Sequence, residues 1–515
     1  MTSVLDSAVI DEIIPESPAI DQVNHDSSKT DGTNLSDSSE RLLTDDSKLS
    51  DSSESILTDD SNCSDLPESP TTDGSSFSDP PESLPTDEPC HSHSHIQLET
   101  LPAELRVQIL NLLDFEGLEA LIRASPVYHE QYLLDRKRLL LARLKVTLGS
   151  MFIDACAVHE TSSLSFIQAR SMDTIPKYLQ SFEKKRSSPC HATEPEVLTL
   201  DDTVNMVAFY RFVLKPFARH YSEWALSNLA NEPEVIQTKI NEPLSSTEEH
   251  RIIRALYHFQ LFSNLLGKGP HKHLDKLDLF IPWLRFDGYE VLMMLEGLYE
   301  PWELEEINCV NVFLQTKGLE VLESVTWDFH ETNPKFDDQD RPPTPRGAFD
   351  IKSYEEAYLI GLITQGLDHL QQVFFKTQDH SHLVDIMEKS LKLHTSVFLE
   401  ADGLGALSYL AQHERRHAAS SERDKREKRR DPLPFRGDFV NNLDGEYPPL
   451  AWTLLWKGTY SNMFGEYMGD EIPKWGYVMW DAARIEHTGA KEVLARQWNS
   501  MWDENEDARD QREFF

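Results

Sequence analysis

The segment Gln97–Pro126 reads Q-L-E-T-L-P-A-E-L-R-V-Q-I-L-N-L-L-D-F-E-G-L-E-A-L-I-R-A-S-P, and similar leucine-rich sequence continues to Leu148. Pro102 suits the first turn of a helix, where a missing N–H costs little. Glu104 would then lie near the positive end of the helix dipole. Apolar residues follow at near-helical spacing, at Leu101, Leu105, Ile109, Leu110, Leu112 and Leu113. This pattern predicts a first helix.

Two more helices are predicted directly after the first. A break at Asp114–Gly117 precedes the apolar residues Leu118, Leu121 and Ile122, which indicate a short second helix. Ser125 followed by Pro126 is typical of a helix start, so a third helix is expected from there to about Leu148. Three helices in some fifty residues cannot bury all of these apolar side chains among themselves. Some apolar surface is therefore left for a neighbour.

The same residues resemble an F-box. The family's leading Leu-Pro, its Ile-Leu pair, its leucine-rich second helix and its small-residue-plus-serine step correspond to Leu101, Pro102, Glu104, Ile109, Leu110, Leu113, Leu118, Leu121, Ala124 and Ser125. The resemblance implies that this segment binds the Skp adaptor of a cullin-based ubiquitin ligase. The implied adaptor-binding residues are Leu101, Pro102, Glu104, Leu105, Ile109, Leu110, Leu113, Leu118 and Leu121. The family often has a tryptophan after the serine step, whereas Tyr128 is the nearest aromatic residue here.

Residues 1–95 are strongly acidic and poor in aromatic residues. They hold 22 Asp and Glu against 3 Lys and Arg, and Phe77 is the single aromatic residue. Such a composition buries too little apolar surface to offset the entropy of ordering, so a disordered tail is predicted. Four tandem 14-residue units run from Leu35 to Cys90. They are interpreted as drift by duplication or as a regulatory tail phosphorylated at acid-flanked serines.

Residues 149–515 are predicted to form a larger, mostly helical body. The expected helices are Ser150–His159, Val204–Asn228, Thr247–Leu266, Tyr289–Leu298, Trp302–Ser324, Tyr354–Phe375 and His382–Leu399. The expected loops are Lys184–Glu196, Asn231–Ser246, Glu331–Gly347 and a charged stretch at about 413–431. No period of 20–50 residues occurs, which argues against leucine-rich, kelch or WD repeats. The fold class is therefore mainly α, with an F-box-like domain at 96–148 and the body at 149–515.

The C-terminal 64 residues contain six of the chain's ten tryptophans. Trp452 and Trp456 are four residues apart and would share one helix face, and Trp475 and Trp480 follow nearby. These side chains are interpreted either as the core of the body or as an exposed aromatic surface that binds a partner.

Composition narrows the class of protein. Five scattered cysteines, never in a C-x-x-C pair, argue against a disulfide framework. The N-terminus lacks a basic region followed by an apolar region, and no apolar run is long enough to span a membrane. The net charge of −39 argues against general nucleic-acid binding. The expected location is intracellular, either cytoplasmic, nuclear or both.

Three short strings suggest metal binding or nuclear import. His413–His417 matches H-E-x-x-H, but the string opens a charged run and no third histidine follows, so a metalloprotease is not predicted. Cys90–His95 could bind a transition metal only weakly, because a flexible linker has no preformed geometry. Lys425–Arg430 is either an import signal or a solvated charged loop. No metal site is therefore expected.

These patterns lead to two functional hypotheses. The first is an F-box substrate receptor, in which residues 98–148 bind the Skp adaptor and the body presents a target protein; it is not a catalyst and needs no cofactor. The alternative is a helical scaffold whose F-box-like helices pack internally. No phosphate loop, nucleophile elbow or metal triad occurs in the sequence, so an enzyme ranks last. Almost everything after residue 95 also resembles a family of F-box-like proteins from filamentous fungi, a resemblance that supplies no substrate.

Overall fold

The computed structural model describes nine stretches of the chain. They are residues 98–187, 198–267, 298–330, 333–336, 355–391, 437–438, 448–455, 468–469 and 471–501. The acidic tail and its repeats, the charged stretch at 413–431, the string at 90–95 and the predicted helix at 289–298, except its last residue, lie outside the described residues. The described part of the chain is helical and contains no strand, which confirms the predicted mainly α fold class.

The first three helices form where the leucine pattern predicts them. They are α1 (Ala103–Leu112), α2 (Phe115–Ala124) and α3 (Pro126–Leu148), preceded by a 3-10 turn at Leu98–Thr100. Asp114 caps α2, since its carboxylate accepts a hydrogen bond from the Gly117 amide at 2.7 Å. Ser125 caps α3, and Pro126 occupies the first turn, where its missing N–H costs no helical hydrogen bond. The predicted Ser-Pro start of the third helix is confirmed.

The body consists of further helices. These are α4 (Phe152–Ser162), α5 (Leu164–Ala169), α6 (Thr174–Ser187), α7 (Leu200–Phe209), α8 (Lys215–Ala230), α9 (Gln237–Ile240), α10 (Ser246–Leu266), α11 (Pro301–Val325), α12 (Glu355–Ile363), α13 (Leu367–Gln371), α14 (His380–Ser390), α15 (Leu450–Leu455), α16 (Glu471–Lys474), α17 (Ala482–Thr488) and α18 (Ala490–Met501). None of the helices in the described stretches is long and apolar enough to cross a membrane.

A wide turn joins α7 to α8. The predicted helix at 204–228 runs through this region, but residues Tyr210–Leu214 form a π-helical turn. Pro216 has no N–H to donate to the carbonyl four residues earlier, at Phe212. The side-chain amide of Gln371 donates to that carbonyl instead, at 2.7 Å. A side chain from a distant helix thus satisfies the backbone group that the proline leaves unpaired.

Several predicted boundaries are wrong. The helix expected at 382–399 ends at Ser390, and the loop expected at 231–246 contains α9. The helix expected at 354–375 breaks between α12 and α13, where Gly366 adopts a φ of 102°, a conformation that favours glycine. The side chain of Gln260 fixes the start of α13, because its Oε1 accepts a hydrogen bond from the Leu367 amide at 2.7 Å. The loop expected at 184–196 begins later than predicted, since α6 continues to Ser187.

Helix α10 lies at the centre of the body and packs mainly against α4 and α11. Every residue from Arg251 to Ser263 is buried, so buried side chains occur around its whole circumference. Apolar side chains of α1–α3 belong to the same continuous core as those of the body. The sequence boundary at residue 148 therefore falls within one shared hydrophobic core.

Candidate functional site

A network of hydrogen bonds holds the turn that precedes α1. The hydroxyl of Tyr128, on α3, donates to the carbonyl of Leu98 at 3.2 Å. The hydroxyl of Ser125 donates to a carboxylate oxygen of Glu99 at 2.5 Å. The guanidinium of Arg106 donates to the carbonyl of Leu101 at 2.9 Å. The leading Leu-Pro is thus fixed by residues of two helices before any partner binds.

The implied adaptor-binding residues divide by exposure into an exposed, a half-buried and a buried group. Pro102, Glu104 and Leu105 are exposed, with Leu105 at 44%. Leu101, Ile109, Leu113 and Leu121 are half-buried. A face that runs from Leu101 through Leu105 to Ile109 is therefore open to solvent along part of its width; we call it the α1 face.

Leu110 and Leu118 lie in the core, with only 1% and 3% of their surface exposed. Their prediction as direct adaptor contacts is corrected, because neither side chain can reach a partner unless the helices rearrange. Both leucines pack between helices, where burying a leucine contributes on the order of 2 kcal/mol to folding. Their role in this structure is to hold α1 and α2 against α3.

Exposed apolar side chains are concentrated in the first three helices. Six of the twelve large apolar residues exposed in the described stretches fall between residues 98 and 148; they are Leu98, Leu105, Leu112, Leu133, Leu134 and Val146. Single exposed leucines are ordinary, whereas contiguous exposed apolar side chains mark a surface that other molecules contact. The expectation that this segment leaves apolar surface for a neighbour agrees with this distribution.

Helix α2 packs against the body, on the side of the three-helix segment away from the α1 face. The ring of Phe115 lies 6.0 Å from that of Tyr210, measured between centroids. The carboxylate of Glu119 accepts from Arg211 at 2.5 Å and forms an ion pair with Arg123 at 2.6 Å. A small apolar pocket remains at this junction, lined by side chains of α2, α3 and α7 and by Phe212. One side of the three-helix segment is thus anchored while the other is open.

Tyr128 is the first aromatic residue after Ser125. It is fully buried, and its hydroxyl reaches the Leu98 turn. We expect Tyr128→Phe to keep the packing and lose this hydrogen bond, worth about 1 kcal/mol. Amide hydrogen exchange at Leu98–Leu101 should then become about fivefold faster. Exchange within α8 serves as the internal control, and unchanged exchange at the turn would show that the hydroxyl does not hold it.

The C-terminal tryptophans that the structure describes are core residues. Trp452, Trp475 and Trp480 are buried, so the interpretation as an aromatic partner surface is wrong for these three and the core interpretation applies. Two of the three indole N–H groups donate within the core: Trp475 Nε1 donates to Gln497 at 2.8 Å, and Trp480 Nε1 donates to the Trp475 carbonyl at 2.7 Å. Trp456 lies outside the described residues.

A second feature, which the sequence analysis missed, is a set of charged groups buried around α10 and α11. Arg254 forms a two-pronged pair with Glu306, at 2.9 and 2.6 Å. Arg484, on α17, pairs with Glu248 at 2.7 Å and 2.8 Å. The sequence does contain a signal for these buried charges. Charged residues recur every three or four positions among apolar residues in α10 and α11, and residues at that spacing lie on the same helix face.

One part of this set contains an imidazole and a carboxylate. His258 Nε2 lies 3.5 Å from Asp154 Oδ2, and Arg186 Nε lies 3.8 Å from the other oxygen. Burial opposes ionisation of Asp154, but Arg186 and His258 together hold the pKa of this carboxyl below its usual range. Burial lowers the pKa of His258 despite its acidic neighbour. Arg186 is therefore the cation that compensates the Asp154 carboxylate, while burial favours the neutral form of His258.

The described stretches contain no group of three or more His, Cys, Asp or Glu side chains close enough to hold a metal ion. The H-E-x-x-H string at 413–417 and the basic run at 425–430 lie outside the described residues.

No family model matches this chain, and neither a curated protein nor a solved structure shows significant similarity to it.

Proposed function

We propose that this protein is an F-box substrate receptor, which binds a Skp adaptor through α1 and presents a target protein to a cullin-based ubiquitin ligase. The observation that carries the proposal is the open α1 face on a segment whose other side is anchored to the body. On this proposal the protein supplies binding surfaces, while the chemistry belongs to the other ligase components.

The preordering of the leading turn supports the same proposal. A partner that binds the α1 face finds the Leu98–Thr100 turn already held by Tyr128 and Ser125. Ordering a flexible segment on binding costs free energy, so a segment ordered in advance binds more tightly for the same contacts. Leu105 supplies an exposed apolar side chain at the centre of this face.

The second candidate is a helical scaffold in which α1–α3 serve only to complete the body. The burial of Leu110, Leu118 and Ile122 and the ion pair between Glu119 and Arg211 favour this reading. The two candidates differ in whether the α1 face binds an adaptor.

The test is capture of purified Skp adaptor by the full chain, comparing wild type with Leu101→Asp, Ile109→Asp and with Leu105→Asp. We expect the substituted chains to lose about thirtyfold or more in affinity, because an unpaired charge at an apolar interface costs more than about 2 kcal/mol. Leu105→Asp is the sharper variant, since Leu105 is already exposed and its replacement leaves the core intact. The matched control is Leu164→Asp, because Leu164 on α5 is also 44% exposed.

Circular dichroism would establish that each variant remains folded. Failure of the wild type to bind adaptor would overturn the receptor proposal and favour the scaffold. The same conclusion would follow if a folded Leu105→Asp bound adaptor as tightly as the control.

A further inference from the structure

A second apolar stripe runs along the outer side of α3. Val127, Leu134 and Leu141 are seven residues apart, the spacing at which side chains return to the same face of two paired helices. Leu134 is 78% exposed, its neighbour Leu133 is 53% exposed, and the other two are half-buried. We call these four residues the α3 stripe.

The α3 stripe lies on a different side of the helix from the residues that hold α1. Successive helical residues turn by about 100°, so Leu134 lies about 160° around the helix from Tyr132 and about 120° from Tyr128. Both tyrosines are buried, and Tyr128 bonds to the turn before α1. The α1 face and the α3 stripe therefore point in different directions, so each can bind its own partner at the same time.

Basic side chains outnumber acidic ones beside the α3 stripe. Of the five basic residues from Arg136 to Lys145, three lie within about 60° of Leu134 around the helix, namely Lys137, Arg138 and Lys145. Arg136 lies over the Tyr132 ring and Arg143 donates to the Asn111 carbonyl, both on the other side of α3. Lys137 and Arg138 are exposed, one turn after Leu133 and Leu134. Arg138 is shared with Asp135 at 3.2 Å, and Glu130 is the other acidic residue on this side. With Lys145 counted, three basic side chains accompany two acidic ones on this side of α3, an excess of one positive charge.

We propose that the α3 stripe binds an acidic amphipathic α-helix of a partner protein other than the adaptor. The seven-residue spacing fits a helix, because a helical partner places its own apolar side chains between those of the stripe. Lys137 and Arg138 favour glutamate or aspartate beside the apolar residues of that helix, because complementary charges stabilise the encounter and select the partner.

This inference goes beyond the proposed receptor function and stands without it. If the protein is a receptor, the α3 stripe is a surface for a protein that is brought to the ligase. If it is a scaffold, the same surface joins two proteins.

The experiment measures fluorescence anisotropy of a labelled synthetic 21-residue helical peptide with leucine at heptad core positions and glutamate at the flanking positions. A second peptide has the same leucines and lysine in place of glutamate. We expect the full chain to bind the acidic peptide saturably and to bind the lysine peptide at least about tenfold more weakly.

Two variants locate the binding site. Leu134→Gln and Lys137→Glu should each weaken binding of the acidic peptide by about tenfold, as expected for a central contact. Their matched controls are Val146→Gln, which changes a residue 71% exposed elsewhere on α3, and Lys177→Glu, which changes an exposed lysine on α6. Both controls should bind as the wild type does.

Several results would overturn the proposal. They are no saturable binding of the acidic peptide, equal binding of both peptides, or equal binding by Leu134→Gln and Val146→Gln. Sedimentation velocity addresses a second copy of the chain as the occupant; self-association that Leu134→Gln abolishes would assign the stripe to a homodimer instead. Adaptor capture by Leu134→Gln should match the wild type, so failure of this proposal and failure of the receptor proposal remain distinguishable.

Discussion

Arg251→Met should destabilise the protein by about 3–5 kcal/mol, measured as the free energy of unfolding in urea. The Arg251 side chain is fully buried, and its guanidinium donates to Asp438 at 2.9 Å and to the Trp480 carbonyl at 3.0 Å. Methionine fills similar space but leaves the Asp438 carboxylate in the interior without its cation. An uncompensated buried charge is much more costly than a lost surface ion pair.

The control for this prediction is Arg219→Met, because the side chain of Arg219 is 79% exposed and its ion pair with Glu223 lies on the surface. That change should cost about 1 kcal/mol or less. The double variant Arg251→Met, Asp438→Leu should recover part of the lost unfolding free energy, since it also removes the unpaired carboxylate. Recovery is partial because Asp438 also accepts from the Leu450 amide, at 2.6 Å. Equal stability of Arg251→Met and Arg219→Met would contradict the prediction.

The second large effect concerns Glu305, a fully buried glutamate on α11. Burial raises the pKa of this carboxyl to about 8, and the neighbouring Tyr477 side chain opposes part of that rise. The folded protein therefore retains a proton that the unfolded chain releases near pH 4.5. The stabilisation from this group is complete below about pH 4.5 and is lost as the pH rises to about 8.

Glu305→Gln should remove this pH dependence, because glutamine does not ionise. Between pH 4.5 and pH 8, wild type should lose on the order of 4 kcal/mol of unfolding free energy relative to the variant. Urea unfolding at several pH values measures the difference, and groups that titrate in both proteins cancel in it. Glu323→Gln, at an exposed position on the same helix, is the control and should follow the wild-type curve. Parallel curves for wild type and Glu305→Gln would show that Glu305 does not retain the proton.

The local features of α1–α3 were predictable because each is set by neighbours in sequence. The Ser125 cap, Pro126 in the first turn and the break at Asp114 all depend on contacts within four residues. The predicted helix boundaries were wrong where a residue far away in the sequence determines the backbone conformation. The break at Gly366 is held by Gln260, which is more than one hundred residues earlier.

The candidate site divides in the same way. The leucine pattern predicted an apolar surface, and the exposure of Leu105 fits the expected α1 face. The pattern could not separate Leu105 from Leu110, since both are leucines on one helix and only their packing against α3 differs. The C-terminal tryptophans posed the same problem, because an aromatic residue suits both a core and an interface.

The sequence by itself determined the helical class, the position of the leucine-rich segment and the caps that start its helices, because these depend on local spacing and hydrogen bonding. The tertiary structure decided which side of each helix is open and which charges are compensated. Arg251 and Asp438 are 187 residues apart, and no local pattern links them. Burial depends on what packs against a residue, so the α1 face and the α3 stripe become distinct surfaces only when α1, α2 and the body are in place around α3.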